Sequence, residues 1–350
     1  MCGDRWANMV RTMNVLTLTR TLVDIESITG NEARVAEFVL HQLLDLTGKY
    51  GGSAERIEVE PDRYNVLACF GEPIVTLSTH LDTVPPFFPS REDDTDIWGR
   101  GACDVKGIIA AMICAASSLL EEGVRNFALL FVVGEERDSA GAYFAGKHPR
   151  GSRFIINGEP TGNRLALGSK GALRYELHAA GRMAHSAYPE LGESAVLKLL
   201  DALERIRKIQ LPTDEVLGPC TLNIGLLSGG RAPNVVPDAA CAALMFRLVG
   251  DPVPVRAAVR EAAGEDAEDR EILCIPAIRL GSLPGFETTV VAYTTDIPAF
   301  GGQWGQPFLI GPGTIHVAHT GAERVPKKQL LEAVEIYARL VRQLLASGTK

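Results

Sequence analysis

Carboxylates and imidazoles follow apolar runs in the first half of this 350-residue sequence. The run IVTLSTH ends in His80, and Asp82 stands two residues later. The run FALLFVVG is followed by Glu135 and Glu136, and FIING is followed by Glu159. Histidine and carboxylate side chains carry out general acid–base chemistry and bind divalent cations. These positions are therefore the first candidates for a reactive site.

Asp104 adds a further carboxylate in GRGACDVKG, just before a long apolar helical pattern. Glycines around it allow the backbone to pass close to another group. Acidic side chains that meet in one crevice repel one another and become protonated unless positive charge is supplied. Arg100 and Lys106 are too few to supply it. Divalent cations are the economical solution, because one carboxylate bridges two of them and neutral imidazoles complete each ligand set.

Each of these residues also has an ordinary structural interpretation. A single carboxylate after a strand is often a helix N-cap or a turn residue, and a single histidine is often a hydrogen-bonded structural group. Several such residues at the ends of buried strands, with another at the head of a buried helix, together favour a metal site.

The elements that must position these residues alternate between strand-like runs and helical patterns, which is typical of an α/β domain on a mainly parallel sheet. Such sheets form their sites at the carboxyl ends of the strands. Near Lys170 the order becomes β-α-β-β-α-β, which is that of a ferredoxin-like module. We expect residues 1–167 and 282–350 to form a discontinuous catalytic metal-binding domain. Residues 168–281 form an inserted domain in this prediction.

Composition limits the partners of the protein. The formal charge of −8, without a basic block, offers no footprint for a nucleic acid or an anionic membrane, and no window reads as a membrane span. Seven scattered cysteines without a CxxC pair predict reduced thiols. The N-terminal segment lacks the pattern of a signal peptide. We expect a cytoplasmic protein with no nucleic-acid or membrane partner.

Motifs of several other enzyme classes are absent from the sequence. There is no GxGxxG at a strand-to-helix turn, no GxxxxGK[ST], no GxSxG and no HExxH. A non-enzymatic alternative is a peptide-binding module with a degenerate metal cluster, which would be metal-free and would not hydrolyse amides.

The segments HLDTVP, GRGACDVKG, VVGEE, NGEPT and AHTGAE, in this order, resemble the dinuclear zinc amidohydrolases and exopeptidases. That family includes acetylornithine deacetylase, succinyl-diaminopimelate desuccinylase, aminoacylase and carboxypeptidases. The resemblance covers nearly the whole chain and implies two divalent metal ions. Zn²⁺ is expected first, with Co²⁺ or Mn²⁺ as alternatives.

The resemblance implies two ligand sets that share a bridging carboxylate: His80, Asp104 and Glu159, and Asp104, Glu136 and His319. By type and position alone, His316 is an alternative to His319. The AHTGAE context selects His319, although Gly321 and Ala322 depart from the usual Pro, Asp or Asn.

The remaining site residues are also implied by the resemblance. Glu135 is the expected general base, and Asp82 is expected to fix the tautomer of its neighbouring histidine. His185 is expected to stabilise the oxyanion, from across a dimer interface in similar enzymes. Three residues are expected to hold the substrate carboxylate: Lys170, Asn234 and Arg247. As alternatives, Arg247 is an ordinary solvated strand residue and APNVVP is only a turn.

The expected reaction is hydrolysis of the amide bond of a small N-acyl amino acid. The segments GEPT, GPG and AHT most closely resemble those of acetylornithine and acetyl-lysine deacetylases. This resemblance implies cleavage of N-acetylornithine to ornithine and acetate in arginine biosynthesis, or the analogous acetyl-lysine step. Succinyl-diaminopimelate and a di- or tripeptide are the alternatives. We expect the inserted domain to act as a lid and, because one of its faces is free to pair, to form a homodimer.

Overall fold

The computed structural model describes residues 14–348. Its helices are α1 (Val15–Val23), α2 (Ala33–Tyr50), α3 (Gly107–Glu121), α4 (Ala140–Lys147), α5 (Ala195–Arg207), α6 (Val253–Ala263) and α7 (Lys327–Gly348). Its strands are β1 (Ser53–Glu60), β2 (Arg63–Phe70), β3 (Val75–His80), β4 (Arg91–Glu92), β5 (Asp96–Trp98), β6 (Phe127–Val132), β7 (Phe154–Asn157), β8 (Leu165–Ser169), β9 (Gly171–Ala180), β10 (Thr213–Asp214), β11 (Gly218–Pro219), β12 (Thr221–Gly229), β13 (Ala239–Leu248), β14 (Glu268–Ile275), β15 (Ile278–Arg279), β16 (Thr288–Val291), β17 (Gln306–Leu309) and β18 (Arg324–Pro326). The predicted reduced state of Cys2 lies outside the described residues.

The described chain divides into two compact units. The first unit contains the described chain up to Ala166, Leu280–Thr289 and the chain from Thr295 onward. The second unit contains Leu167–Arg279 and Val290–Thr294. The sequence pattern assigns Val290–Thr294 to the metal-binding domain, residues 1–167 and 282–350. This segment joins the second unit because the Val291 carbonyl accepts a hydrogen bond from the backbone N–H of Lys170 at 3.0 Å.

A six-stranded sheet forms the centre of the first unit, in the order β1-β2-β6-β3-β7-β17. Strands β6, β3, β7 and β17 are mutually parallel. Strands β1 and β2 form an antiparallel hairpin at one edge, and β2 is antiparallel to β6. The predicted α/β class is confirmed, and the sheet is mixed at this edge. A hairpin arises there because the two strands are joined by a tight turn, in which Asp62 has a φ of 61°.

Helices cover both faces of this sheet. Alternate residues of β6, such as Phe131 and Leu130, belong to different core clusters, one with α1, α2, α3 and α7 and the other with α4. Strands β3 and β6 are buried at every position, as expected for continuous apolar runs in the middle of a parallel sheet. The segment Ala102–Glu121 has a length and mean hydropathy (1.7) that would suit a membrane span, but 89% of its window is buried inside the protein. Packing in the core therefore accounts for its apolar composition.

The second unit contains a four-stranded antiparallel sheet in the order β12-β13-β9-β14. Along the chain its main elements run β9, α5, β12, β13, α6, β14. Burial alternates along β13 because α5 and α6 cover one face of the sheet. Strand β12 is an edge strand, on which Leu226 and Leu227 are exposed.

The carboxyl ends of neighbouring parallel strands bring the acidic segments of the first unit together. Strand β3 ends at His80, β6 ends two residues before Gly134, and β7 ends two residues before Glu159. Because β6, β3 and β7 are adjacent and parallel, the loops after them leave from the same edge of the sheet. The turn Ala102–Lys106, which carries Asp104, leads into α3.

Candidate metal centre

Two groups of metal-type side chains share Asp104 in the first unit. One group is His80, Asp104 and Glu159, and the other is Asp104, Glu136 and His319. In each group, one ligand atom from each residue lies within 4.8 Å of the others. The structure therefore brings together all five residues that the sequence named as ligands. Their role as ligands stays a prediction.

The imidazole of His80 is held between two oxygens. Its Nδ1 lies 3.0 Å from the Asp82 carbonyl, and its Nε2 lies 3.2 Å from Oδ1 of Asp104. When Nδ1 donates to the carbonyl, a neutral imidazole directs the Nε2 lone pair at the carboxylate oxygen. Two acceptors then face each other, so a proton or a cation must lie between them. Burial lowers the pKa of His80, but its contacts with Asp104 and Asp82 outweigh burial and raise that pKa well above its usual value.

His319 is placed in the same way in the second group. Its Nε2 lies 2.9 Å from Oε2 of Glu136 and 3.2 Å from Oδ2 of Asp104. Hydrogen bonds to Asp104 and Glu136 raise the pKa of His319 to about 10. The alternative ligand His316 is exposed and is not part of either group. Tertiary placement thus selects between the two histidines.

The carboxylates of the two groups lack enough protein donors. Glu159 is buried, and its Oε1 has no hydrogen-bond partner among the described residues. Burial raises the pKa of Glu159 well above its usual value and also raises the pKa of Glu136. Burial acts in the same direction on Asp104, but hydrogen bonds from His319 and His80 lower the pKa of Asp104 overall. Imidazole nitrogens and orphaned carboxylate oxygens are the donor set that a divalent cation such as Zn²⁺ prefers, so these residues fit the implied metals.

The Asp82 carboxylate holds the turn that carries the two glutamates. It accepts hydrogen bonds from the backbone N–H groups of Gly134 (3.0 Å), Glu135 (3.1 Å) and Glu136 (3.1 Å) and from the hydroxyl of Thr29 (2.8 Å). Its Oδ1 lies 3.4 Å from Nδ1 of His80, which is farther than the Asp82 carbonyl. The main chain of Asp82 therefore contributes more to the predicted control of the tautomer than its carboxylate does.

Glu135, the predicted base, lies among other carboxylates. Burial raises the pKa of Glu135 well above its usual value, and the carboxylates of Asp296 and Glu136 act in the same direction, against the His80 imidazole. Asp296 is itself fully buried, and burial raises its pKa to about 7. Asp296 was not predicted from the sequence, although its neighbours Thr294 and Thr295 loosely resemble substrate-contact positions of the family.

A second missed residue is Glu323, whose carboxylate lies beneath the turn that carries Asp104. It accepts hydrogen bonds from backbone N–H groups of that turn and from the Arg100 guanidinium. Burial and the nearby Asp104 raise the pKa of Glu323 to about 7, against the effect of Arg100. Glu323 is the last letter of AHTGAE, so its signal was visible in the sequence.

The other predicted residues lie in the second unit. His185 and Asn234 are on neighbouring loops, since the N–H of Ser186 donates to the Asn234 carbonyl at 3.0 Å. Lys170 precedes β9, its Nζ donating to the Pro219 carbonyl at 2.6 Å. Arg247 lies on β13 opposite Ala172 of β9. Burial lowers the pKa of Arg247. The second unit thus places His185 and Asn234 on adjacent loops, and Lys170 lies two residues before the strand partner of Arg247.

Comparison with known proteins shows similarity to one protein family, one relative and two solved structures. The profile described as peptidase family M20/M25/M40 matches residues 76–343. A probable carboxypeptidase of Aspergillus clavatus is 38% identical over an alignment of 389 positions, which includes 97% of this chain and 84% of the relative. The aminopeptidase PepT of Bacillus cereus has a similar structure, with a TM-score of 0.79, 18% identity, and coverage of 96% of this chain and 100% of that one.

A fourth similarity is to a dinuclear metal-binding peptidase of Bacillus subtilis. The TM-score is 0.68 at 16% identity, with coverage of 93% of this chain and 96% of that one. Both structural similarities concern the fold.

Proposed function

The chain belongs to peptidase family M20/M25/M40, and from that premise we propose that it hydrolyses the terminal amide bond of small peptides in a metal-dependent reaction. One observation carries the proposal. Two ligand groups share the Asp104 carboxylate, and Glu135 follows the strand beside them. A shared carboxylate between two nitrogen- and oxygen-rich groups suits a pair of divalent cations.

The residues of the first unit divide the work as follows. His80, Asp104 and Glu159 would hold one ion, and Asp104, Glu136 and His319 would hold the other. A bound Zn²⁺, or Co²⁺ or Mn²⁺ in its place, would lower the pKa of a water and polarise the amide carbonyl. Glu135 takes the proton of the attacking water and returns a proton to the leaving amine. Asp82 keeps Glu135 in reach by holding its backbone N–H.

The second unit supplies substrate contacts in this proposal. It acts as a ferredoxin-like lid, with His185 stabilising the oxyanion and Asn234 beside it. Arg247 and Lys170 bind the substrate carboxylate, which suits the planar fork of a partly desolvated arginine. We further propose a cytoplasmic homodimer through this unit, supported by the exposed leucines of the unpaired edge of β12.

We propose small peptides, and not N-acetylornithine, as the substrates. The sequence motifs favoured N-acetylornithine, but the similar protein of Aspergillus clavatus carries the name probable carboxypeptidase. We therefore expect di- and tripeptides with a free carboxyl terminus to be the best substrates.

The test uses full-length protein, stripped of metal and reloaded with Zn²⁺, Co²⁺ or Mn²⁺. Its kcat/KM is measured for dipeptides and tripeptides, for their C-terminal amides, and for N-acetylornithine, N-acetyl-lysine and succinyl-diaminopimelate. Free peptides should be cleaved fastest, and amidation should lower kcat/KM about 100-fold, because the carboxylate-binding groups are left unpaired (about 3 kcal/mol). Fastest cleavage of N-acetylornithine would overturn the peptide assignment. No hydrolysis with any metal would overturn the enzymatic proposal.

Two neighbouring substitutions test the division of labour. Glu135→Gln should retain two metal equivalents and lose most turnover, on the order of 100-fold or more, because a general base is removed. Glu136→Gln should lose one metal equivalent, because it removes a ligand. Metal content and kcat are measured side by side, and equal behaviour of the two variants would contradict the assigned roles.

A further inference from the structure

Glu323 contacts the Asp104 turn through every acceptor it has. Its Oε1 accepts from the backbone N–H of Gly101 at 2.8 Å and of Asp104 at 3.2 Å. Its Oε2 accepts from Nη1 of Arg100, and its backbone carbonyl accepts from the N–H of Gly99 at 3.1 Å. The side chain of Glu323 therefore holds the segment from Arg100 to Asp104, and its backbone carbonyl holds Gly99.

The same residue is only four positions after His319. The short segment between them places the imidazole 3.2 Å from Oδ2 of Asp104. Asp104 and His319 belong to the same ligand group, yet they lie on chain segments more than 200 residues apart. Glu323 follows His319 closely in the chain and accepts a hydrogen bond from the backbone N–H of Asp104.

We propose that Glu323 is a positioning residue that sets the distance between Asp104 and His319 and thereby determines the affinity of the second metal site. The inference rests on the metal centre proposed above. The first site depends less on Glu323, because His80 and Glu159 are held by the ends of β3 and β7.

A buried carboxylate is suited to this task because it satisfies several donors at once. Glu323 is fully buried, and Arg100, which balances its charge, is 2% exposed. Arg100 is itself held by the Pro86 carbonyl, 3.2 Å from its Nε, and by the ring of Phe88, 5.0 Å away. The carboxylate is thus anchored on a rigid cation and presents its second oxygen to the turn. Loss of such supporting groups typically weakens metal affinity about 10–100-fold.

The experiment titrates metal-stripped, full-length protein with Co²⁺ and follows both stoichiometry and the visible absorption of the bound ion. Wild type should bind two equivalents. In Glu323→Ala, the affinity for one Co²⁺ equivalent should stay within about threefold of wild type. The affinity for the other equivalent should fall about 10–100-fold. His319→Ala identifies the second site, because the equivalent lost in that variant should be the one weakened in Glu323→Ala. Glu323→Gln should be intermediate, because it keeps the oxygen that faces the turn.

Two further variants separate positioning from general destabilisation. The double variant Arg100→Leu/Glu323→Leu removes both buried charges, so neither charge is left without its partner in the protein interior. Its affinity for the second Co²⁺ equivalent should fall as much as that of Glu323→Ala. Thr76→Val removes the buried hydrogen bond from Thr76 to Ser152 (3.0 Å), near the start of β3, and should keep both equivalents.

The outcomes distinguish this inference from the metal centre itself. If wild type fails to bind two equivalents, both the metal centre and this inference are overturned. If wild type binds two and the Glu323 variants bind both as tightly, the positioning role alone is wrong. Equal weakening of both sites would also overturn it, because the preference for the second site would be lost.

Discussion

At the scale of single residues, carboxylate contacts stabilise the protonated imidazole of each of the two histidines of the site. Nε2 of His80 and Nε2 of His319 each face carboxylate oxygens at 2.9–3.2 Å. The carboxylates that make each imidazole a good metal ligand also stabilise its protonated form. Protons and metal ions therefore compete for the same nitrogens.

This competition predicts proton release on metal binding. The pKa of His319 is raised to about 10, so His319 is protonated at pH 7 in metal-free protein, and the contacts of His80 with Asp104 and Asp82 raise its pKa as well. His319 must lose its Nε2 proton to bind an ion, so affinity should rise with pH between 6 and 9, about tenfold per unit for each proton released. Calorimetric titration with Zn²⁺ in buffers of different ionisation enthalpy measures the release. His319→Ala should release fewer protons, and a heat independent of buffer would contradict the prediction.

The identity of the candidate ligand residues was the feature of the site that the sequence predicted most directly. The types and local contexts of His80, Asp104 and Glu159 were enough to nominate them. The carboxylate of Asp82 was visible as well, but its bonds to the turn at Gly134 were not, because those partners lie 52 residues away or more.

At the scale of elements, the close approach of β7 and α3 positions Glu159. Gly158 lies between the end of β7 and Glu159, and a Cβ there would lie 2.4 Å from Ile108 and 2.6 Å from Met112 of α3. The glycine is required for packing, since its φ is not in the left-handed region.

Gly158→Ala should therefore separate α3 from β7, lower the free energy of unfolding by about 1–3 kcal/mol, and displace the Glu159 carboxylate. Thermal unfolding and metal content of the purified variant measure the two effects. Gly48→Ala is the matched control, because Gly48 lies in α2 and a methyl group added there would have no neighbouring atom within 4 Å, and it should be stabilising by about 0.5–1 kcal/mol. Unchanged stability of Gly158→Ala would show that the helix moves freely.

Most elements were predictable, because long apolar runs and amphipathic patterns report burial directly. The apolar helical pattern that follows Asp104 forms α3, which ends at Glu121, and the run FALLFVVG forms β6, which ends at Val132. The strand is shorter because the turn after it is held by Asp82, a tertiary contact. The hairpin strand β1 was missed, since its alternating burial is shallow and its residues are mostly exposed.

At the scale of the whole molecule, the proposed homodimer follows from an unpaired edge. Leu226 and Leu227 on β12 are 71% and 57% exposed, and the strand is paired only with β13 among the described residues. An exposed apolar edge strand is a surface that proteins usually cover.

Light scattering during size exclusion should therefore find wild type as a dimer, and Leu226→Lys combined with Leu227→Lys as a monomer, because buried lysines would repel across a symmetric interface. Leu44→Lys provides the control, since Leu44 is an exposed leucine on α2 of the first unit and its substitution should leave the dimer intact. A monomeric wild type would contradict the proposal.

Side-chain chemistry and burial periodicity were enough to establish the α/β class, the residue types of the metal centre and most of the elements that carry them. Both are local properties of the chain, so they can be read along it. The folded molecule was needed to bring His319 beside Asp104 and Glu136, to place Asp296 near Glu135, and to join Glu323 to a turn 222 residues earlier. Such contacts depend on how distant segments pack against one another, and no local pattern of residues encodes that distance.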